Sequence, residues 1–239
     1  MPKASQARTN ARKEEIISAC AALYETMSFK DITLKDISQA TSFTRTSIYN
    51  YFQTKEEIFL ALLQREYDLW RQDLLVLLDT HEAMTADAFA AALSHTLARR
   101  ARMLKLLSMN HYDMEANSRM ENLVAFKRSY GAAMQAVTQC VEKFFPHMPA
   151  EAVQGFLYAF FPFLFGLYPY AYVTDKQKAA MNQADVPYPA LSLRPQAAGR
   201  VSLKPQRRGQ SSGKLTRLVQ SGILVVLLFS PESILRNEG

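Results

Sequence analysis

Apolar residues recur at spacings of three and four along most of the chain, a period that predicts helices. The first stripe, Ile16, Ile17, Cys20, Tyr24 and Met27, places a helix from Asn10 to near Ser28, behind a polar, mobile arm over residues 1–9. Thr33-Leu34-Lys35-Asp36 has the hydroxyl-x-x-acid form of a helix start, with Leu34 and Ile37 turned inward on a short helix ending about Ala40. Thr41-Ser42-Phe43 makes a tight connection. A third short helix covers TRTSIYNYF, residues 44–52, with Thr44 as its N-cap. After Gln53, Thr54 caps a long fourth helix opening at Lys55-Glu56-Glu57.

That fourth helix carries Phe59, Leu62, Leu63, Tyr67, Trp70, Leu74 and Leu77 on one broad stripe. Asp87 to about Asn110 reads as one helix or two. Ser118 to Phe145 is a long helix stopped by Pro146, and Pro149-Ala150-Glu151 opens another that runs to about Tyr172, interrupted by Pro162 and Pro169. Asp175 to Ala184 is the last patterned stretch. No segment up to residue 190 reads as a sheet, so the expected class is all-α.

Residues 191–239 break the pattern. A basic, Pro/Gly/Ser-rich stretch is followed by the aliphatic block Ile223 to Phe229, with no final amphipathic helix. A disordered tail is expected there, either native or the product of a changed reading frame near Leu191. The resulting organisation is an arm over 1–9, a three-helix domain over 10–55, a larger helical domain over 56–190, and the tail.

With 239 residues and 49% hydrophobic content, the chain can bury a sizeable core. Two cysteines make no disulfide framework and suit a reducing compartment. The start MPKASQARTNARKEE lacks the apolar run of a signal peptide. The longest aliphatic run has seven residues, against about 20 for a spanning helix. A soluble, cytoplasmic protein without a membrane span is therefore expected. The net charge of +6 is unevenly placed. Residues 1–55 have eight basic against five acidic side chains, residues 56–190 twelve against fifteen, and residues 191–239 eight against two. Since the tail supplies most of the excess, overall basicity alone says little about a nucleic-acid partner.

The chemistry lies in the third helix. Two short helices joined by a three- or four-residue turn and braced by a preceding helix form a helix-turn-helix. The second helix must enter a major groove about 12 Å wide, with an apolar inner face and a polar outer one. Ile48 and Phe52 form the inner face, and Arg45, Thr46, Tyr49 and Asn50 the outer one. Arg can pair with guanine O6/N7 and Asn with adenine N6/N7. Thr44 sits where helix-start N–H groups attract a phosphate. Tyr49, Tyr51 and Lys55 can donate to phosphate oxygens. Tyr49 can equally brace the core.

The stretch 10–56 resembles the N-terminal domain of the TetR family of bacterial transcriptional regulators. The resemblance rests on I-I-x-x-A-x-x-L-Y at 16–24, F-K-D-I-T-L-K-D-I at 29–37 and, most specifically, T-S-I-Y-N-Y-F-x-T-K-E-E at 46–57. Weaker similarity continues through E-N-L-V-A-F-K-R at 121–128 and G-L-Y-P-Y-A-Y-V-T-D-K-Q-K at 166–178. It implies phosphate contacts from Thr33, Thr44, Tyr49, Tyr51 and Lys55, and base contacts from Arg45, Thr46 and Asn50. It also implies a homodimer on a palindromic double-stranded operator, and a small-molecule pocket in the C-terminal helices. Many members have glycine where this chain has Ser28 and Ser42, so some backbone strain is expected at both serines.

Phe156, Phe160, Phe163 and Tyr168, on a helix apolar nearly all round, either line such a pocket or form plain core and dimer interface. His81, His95, His111 and His147 have no metal-ligand spacing, and neither metal nor cofactor is assigned. Ser211-x-x-Lys214 has a catalytic spacing but lies in the tail, so no enzyme is expected. A regulator, most simply a repressor, is the leading reading. A nucleoid or division factor of the same fold is the alternative.

Overall fold

The computed structural model describes residues 2–109 and 111–186, the side chains of 2–5 and 111 excepted; the 191–239 tail, with Ser211 and Lys214, lies outside them. Ten helices are described: α1 (Pro2–Thr26), α2 (Leu34–Gln39), α3 (Arg45–Ile48), α4 (Lys55–Thr80), α5 (Ala86–Ala98), α6 (Ala101–Leu107), α7 (His111–Ala116), α8 (Met120–Phe144), α9 (Ala150–Ala171) and α10 (Asp175–Gln183). No strand occurs among the described residues, and the class is all-α. Two compact units are present, one of Met1–Leu69 with Met109–Ala133, the other of Trp70–Ser108 with the described residues from Met134 on. Their division cuts α4 and α8, whereas the sequence suggested a boundary at 55/56. The reason is that the first turns of α4 bury Ile58, Phe59, Leu62 and Leu63 in the first unit.

In that first unit α1 packs on α2 and α2 on α3. Helix α1 begins at Pro2, so residues 2–9 continue it instead of forming a loose arm. Ala4, Gln6, Ala7 and Arg8 are good helix formers, and no breaker separates them from Asn10. Burial begins only at Ile16, which with Ile37 and Ile48 is fully enclosed. Each such side chain contributes about 1.5–3 kcal/mol. Phe59 closes this core, its ring edge-on to Tyr24 at 5.3 Å and to Phe29 at 4.8 Å between centroids.

The second unit is built around Trp70, whose indole N–H donates to Thr96 Oγ1 at 3.0 Å. Helix α9 packs on α6 and brings Phe160 and Phe161 to Trp70, 6.4 and 6.2 Å between centroids. Pro162 and Pro169 lie inside α9 without ending it, contrary to the expected interruption. Both are exposed, as is Tyr158, whose carbonyl Pro162 leaves without a donor, so water can satisfy it. Helix α9 is also, among the described residues, the one helix long and apolar enough to cross a membrane by length and composition. A count of unbroken aliphatic residues missed this, because aromatics and prolines supply its apolar surface. One face of α9, with Phe156, Phe160 and Leu164, is fully buried within the unit, while Tyr158 and Tyr170 on other faces are exposed.

Cys20 and Cys140 are buried, and burial raises both thiols to about 12, so neither is a ready nucleophile.

Candidate nucleic-acid interface

Two hydroxyl caps set the reading element. Thr33 starts α2 with a reciprocal capping box: Asp36 N–H donates to Thr33 Oγ1, and the amide and hydroxyl of Thr33 donate to Asp36 Oδ2. These bonds hold the Asp36 carboxyl below its ordinary value, chiefly through the Thr33 hydroxyl. A phosphate contact from Thr33 would therefore compete with Asp36 for both donors. Thr44 caps α3 by accepting from Ser47 N–H at 3.2 Å, and its hydroxyl lies 2.9 Å from that of Ser47.

Helix α3 is a single turn, continued to Phe52 by the bonds Asn50 N–H to Ser47 O and Tyr51 N–H to Ile48 O. The sequence pattern made this one helix over 44–52. Tighter i to i+3 bonds from Asn50 and Tyr51 enter its second half beside an i to i+4 bond from Phe52 N–H to Ile48 O, as is usual at short helix ends. Ile48 and Phe52 are buried as anticipated, and they hold the opposite face outward. Arg45, Thr46, Tyr49 and Asn50 are all exposed on it. Arg45 donates to the Tyr49 hydroxyl at 3.3 Å, with its guanidinium 6.0 Å from the ring centre. Tyr49 is 43% exposed, which settles it as a surface group and not a core brace.

Tyr51 stands beside this face. Its hydroxyl accepts from Arg12 Nη1 at 3.0 Å, which raises the Arg12 pKa. Lys55 departs from expectation. Its ammonium donates to the carbonyls of Phe29 at 2.8 Å, Ile32 at 3.1 Å and Lys30 at 3.5 Å, and lies 4.4 Å from the Phe29 ring centre. Three donors meeting three carbonyls leave none for a phosphate. Lys55 thus braces the 29–32 loop. Replacing it by Met should cost about 1–3 kcal/mol. The salt dependence of DNA binding should stay unchanged, a slope that a lost phosphate contact would lower by about 0.9.

The serines expected to be strained are not. Among the described non-glycine residues only Asp185 has a positive φ, 51°. Ser42 instead donates its amide and hydroxyl to Glu15 Oε1 at 2.8 and 2.7 Å, lowering the Glu15 pKa and tying the turn to α1. Ser28 donates to Asp31.

Sequence reasoning also missed an ion pair, behind the reading element, between a buried carboxylate and a half-buried arginine. Glu57, 1% exposed, accepts from the amide, Nε and Nη2 of Arg119 at 3.0, 2.7 and 3.0 Å and from Gln53 N–H at 2.8 Å. Arg119 Nη2 also donates to Tyr51 O at 3.1 Å, and Thr54 Oγ1 to Asn117 O at 3.0 Å. Burial opposes the charged carboxylate, but the Arg119 and Gln53 bonds and the Arg119 charge prevail and bring Glu57 to about 2.

The profile of the bacterial regulatory proteins of the tetR family matches residues 16–62, and that of the tetracyclin repressor-like C-terminal domain matches residues 64–200, more than half of the chain. The chain belongs to the TetR family. Among its relatives is an uncharacterized HTH-type transcriptional regulator, YfiR, of Bacillus subtilis (strain 168). It is 28% identical over 67 residues, 28% of this chain and 33% of that protein, so the match spans about a third of the relative's length. A crystal structure from Mesorhizobium loti MAFF303099, described as a TetR-family transcriptional regulator, superposes with a TM-score of 0.52 at 14% identity. It covers 92% of this chain and 96% of that one, a likeness of fold.

Within the TetR C-terminal domain, the four aromatic candidates separate. Phe156 and Phe160 are fully buried and stacked at 5.2 Å, 12° from parallel. Phe163 is half-buried, and Tyr168 stacks at 4.5 Å on Tyr172.

Proposed function

We propose that this TetR-family chain is a sequence-specific, DNA-binding transcriptional repressor. It acts as a homodimer on a palindromic double-stranded operator in the cytoplasm, and a small molecule bound among its C-terminal helices changes its DNA affinity. The observation that carries this reading is the exposed face of Arg45, Thr46, Tyr49 and Asn50, held outward by buried Ile48 and Phe52. Thr44, at the start of α3, and Tyr51 flank that face as phosphate donors, and Thr33 would join them by releasing Asp36. Two such faces about 34–36 Å apart would read two half-sites one helical turn apart. Linkage supplies the regulation. A ligand that prefers a conformation with wrongly spaced reading heads lowers DNA affinity by its differential affinity for the two states. Helix α4 is the natural lever, since its chain runs from Lys55 beside the reading element through Trp70. Phe163 and Tyr168, only half-buried, are better placed than Phe156 and Phe160 to meet such a ligand.

Selection of random duplex DNA by the purified protein tests the reading, with an enriched palindrome as the expected result. Folded protein that enriches no sequence would overturn it. Operators confined to promoters separate regulation from a nucleoid or division role. On the selected operator, Arg45→Ala should relax preference at one or two base pairs by about 1–3 kcal/mol while leaving the others intact. Unchanged preference across the site would remove Arg45 from base reading.

A further inference from the structure

We infer that α1 adds a second DNA-binding strip, Arg8 and Arg12, which neutralises backbone phosphates flanking the base pairs read by α3; this rests on the DNA-binding reading above. Residues 6–15 of α1 contain no buried side chain, although the helix is continuous from Pro2. Local propensity and the i, i+4 bond from Gln6 to Asn10 support its outer turns, whose polar faces are open to a partner.

Its position follows from Arg12. The guanidinium donates to the Tyr51 hydroxyl and lies 5.8 Å from the centre of the Phe43 ring, which fixes a positive charge beside the reading element while leaving it exposed. Arg8 stands one turn earlier, at i−4, so it shares the stripe of Arg12 and extends it away from the core. It is exposed and makes no ion pair among the described residues. The nearby acids offset this stripe only in part: Glu15 attracts Arg12, but the two make no ion pair among the described residues. Glu14 lies on another side of α1 and pairs with Arg65 at 3.4 Å. One oxygen of Glu15 is taken by both donors of Ser42. Side chains at i and i+4 start about 5–6 Å apart at Cβ, so two long arginines on one face can reach neighbouring phosphates. Arginine also suits bidentate phosphate binding.

The test uses the full chain and the salt dependence of its affinity for a duplex. Wild type is compared with Arg8→Ala and Arg8→Lys on a selected operator, cut at its outermost specified base pair or extended by about five base pairs on each side. Wild type should bind the extended duplex more tightly. Arg8→Ala should lose that gain, and its loss of affinity between 50 and 200 mM salt should shrink about 3.5-fold for each contact removed. Arg8→Lys, which keeps the charge, should restore the slope. Arg8 is exposed and makes no ion pair among the described residues, and rescue of the slope by Arg8→Lys distinguishes a lost charge from a folding defect. Wild-type binding with the same slope and length dependence in Arg8→Ala would overturn the strip and leave the repressor reading standing. Folded wild type that binds no duplex would overturn both.

Discussion

Arg119→Ala should destabilise the protein by about 3–5 kcal/mol, the cost of leaving a buried carboxylate without its cation. The loss is large against a total stability of about 5–15 kcal/mol for a folded protein. Of the Glu57 hydrogen bonds, only those from the amides of Gln53 and residue 119 would survive. The Tyr51 carbonyl, in the turn after α3, would lose this donor as well. Operator affinity should therefore fall further than the stability loss alone explains. Glu57→Gln should be milder, because it removes the charge together with the need to balance it. The pH dependence gives a second reading of the same pair. Glu57 falls from 4.5 to about 2 on folding, so its contribution is complete above the unfolded value. It is lost as pH drops from about 4.5 through about 2. In Arg119→Ala burial acts with less opposition and pushes the carboxyl up, so that variant gains relative stability on protonation. Urea unfolding of both proteins at pH 7 and pH 4 should show the gap narrowing in acid. A constant gap would mean that Arg119 acts through packing and not through the Glu57 charge.

What could be read from the sequence was local. Thr33, Thr44 and Thr54 were placed as caps because a cap and its partner lie three residues apart, and each accepts from the expected amide. Ile48 and Phe52 were placed inward by helical spacing. Glu57 with Arg119, 62 residues apart, and Arg12 with Tyr51, 39 apart, leave no such trace, since nothing in spacing says which distant charge meets which. Lys55 shows the same gap at short range. A lysine at a helix start is visible in sequence, but the direction of its ammonium depends on where the carbonyls of 29–32 fold back. Ser42 was expected to carry strain because its glycine-like position was legible while its Glu15 partner was not. Helix α7 escaped notice for another reason: six residues are too few to establish a period.

Phe160→Ala should cost about 3–5 kcal/mol, because its ring is fully buried among rings that cannot all close over the gap. Phe156 stacks on one side of it, and Phe161 and Trp70 lie 5.6 and 6.4 Å away between centroids. For a chain of this size the melting temperature should fall by roughly 10 °C. Phe163→Ala and Tyr168→Ala, at half-buried positions, should cost well under half as much. That contrast separates the two readings left open by the aromatic run. If Phe156 and Phe160 are core, the cavity in Phe160→Ala is new and dry. A small apolar molecule such as benzene should then restabilise the variant and leave wild type unchanged, as dry engineered cavities allow. If the same molecule stabilises wild type equally, a preformed space already lies beside Phe160, and the effector pocket extends to this face of α9.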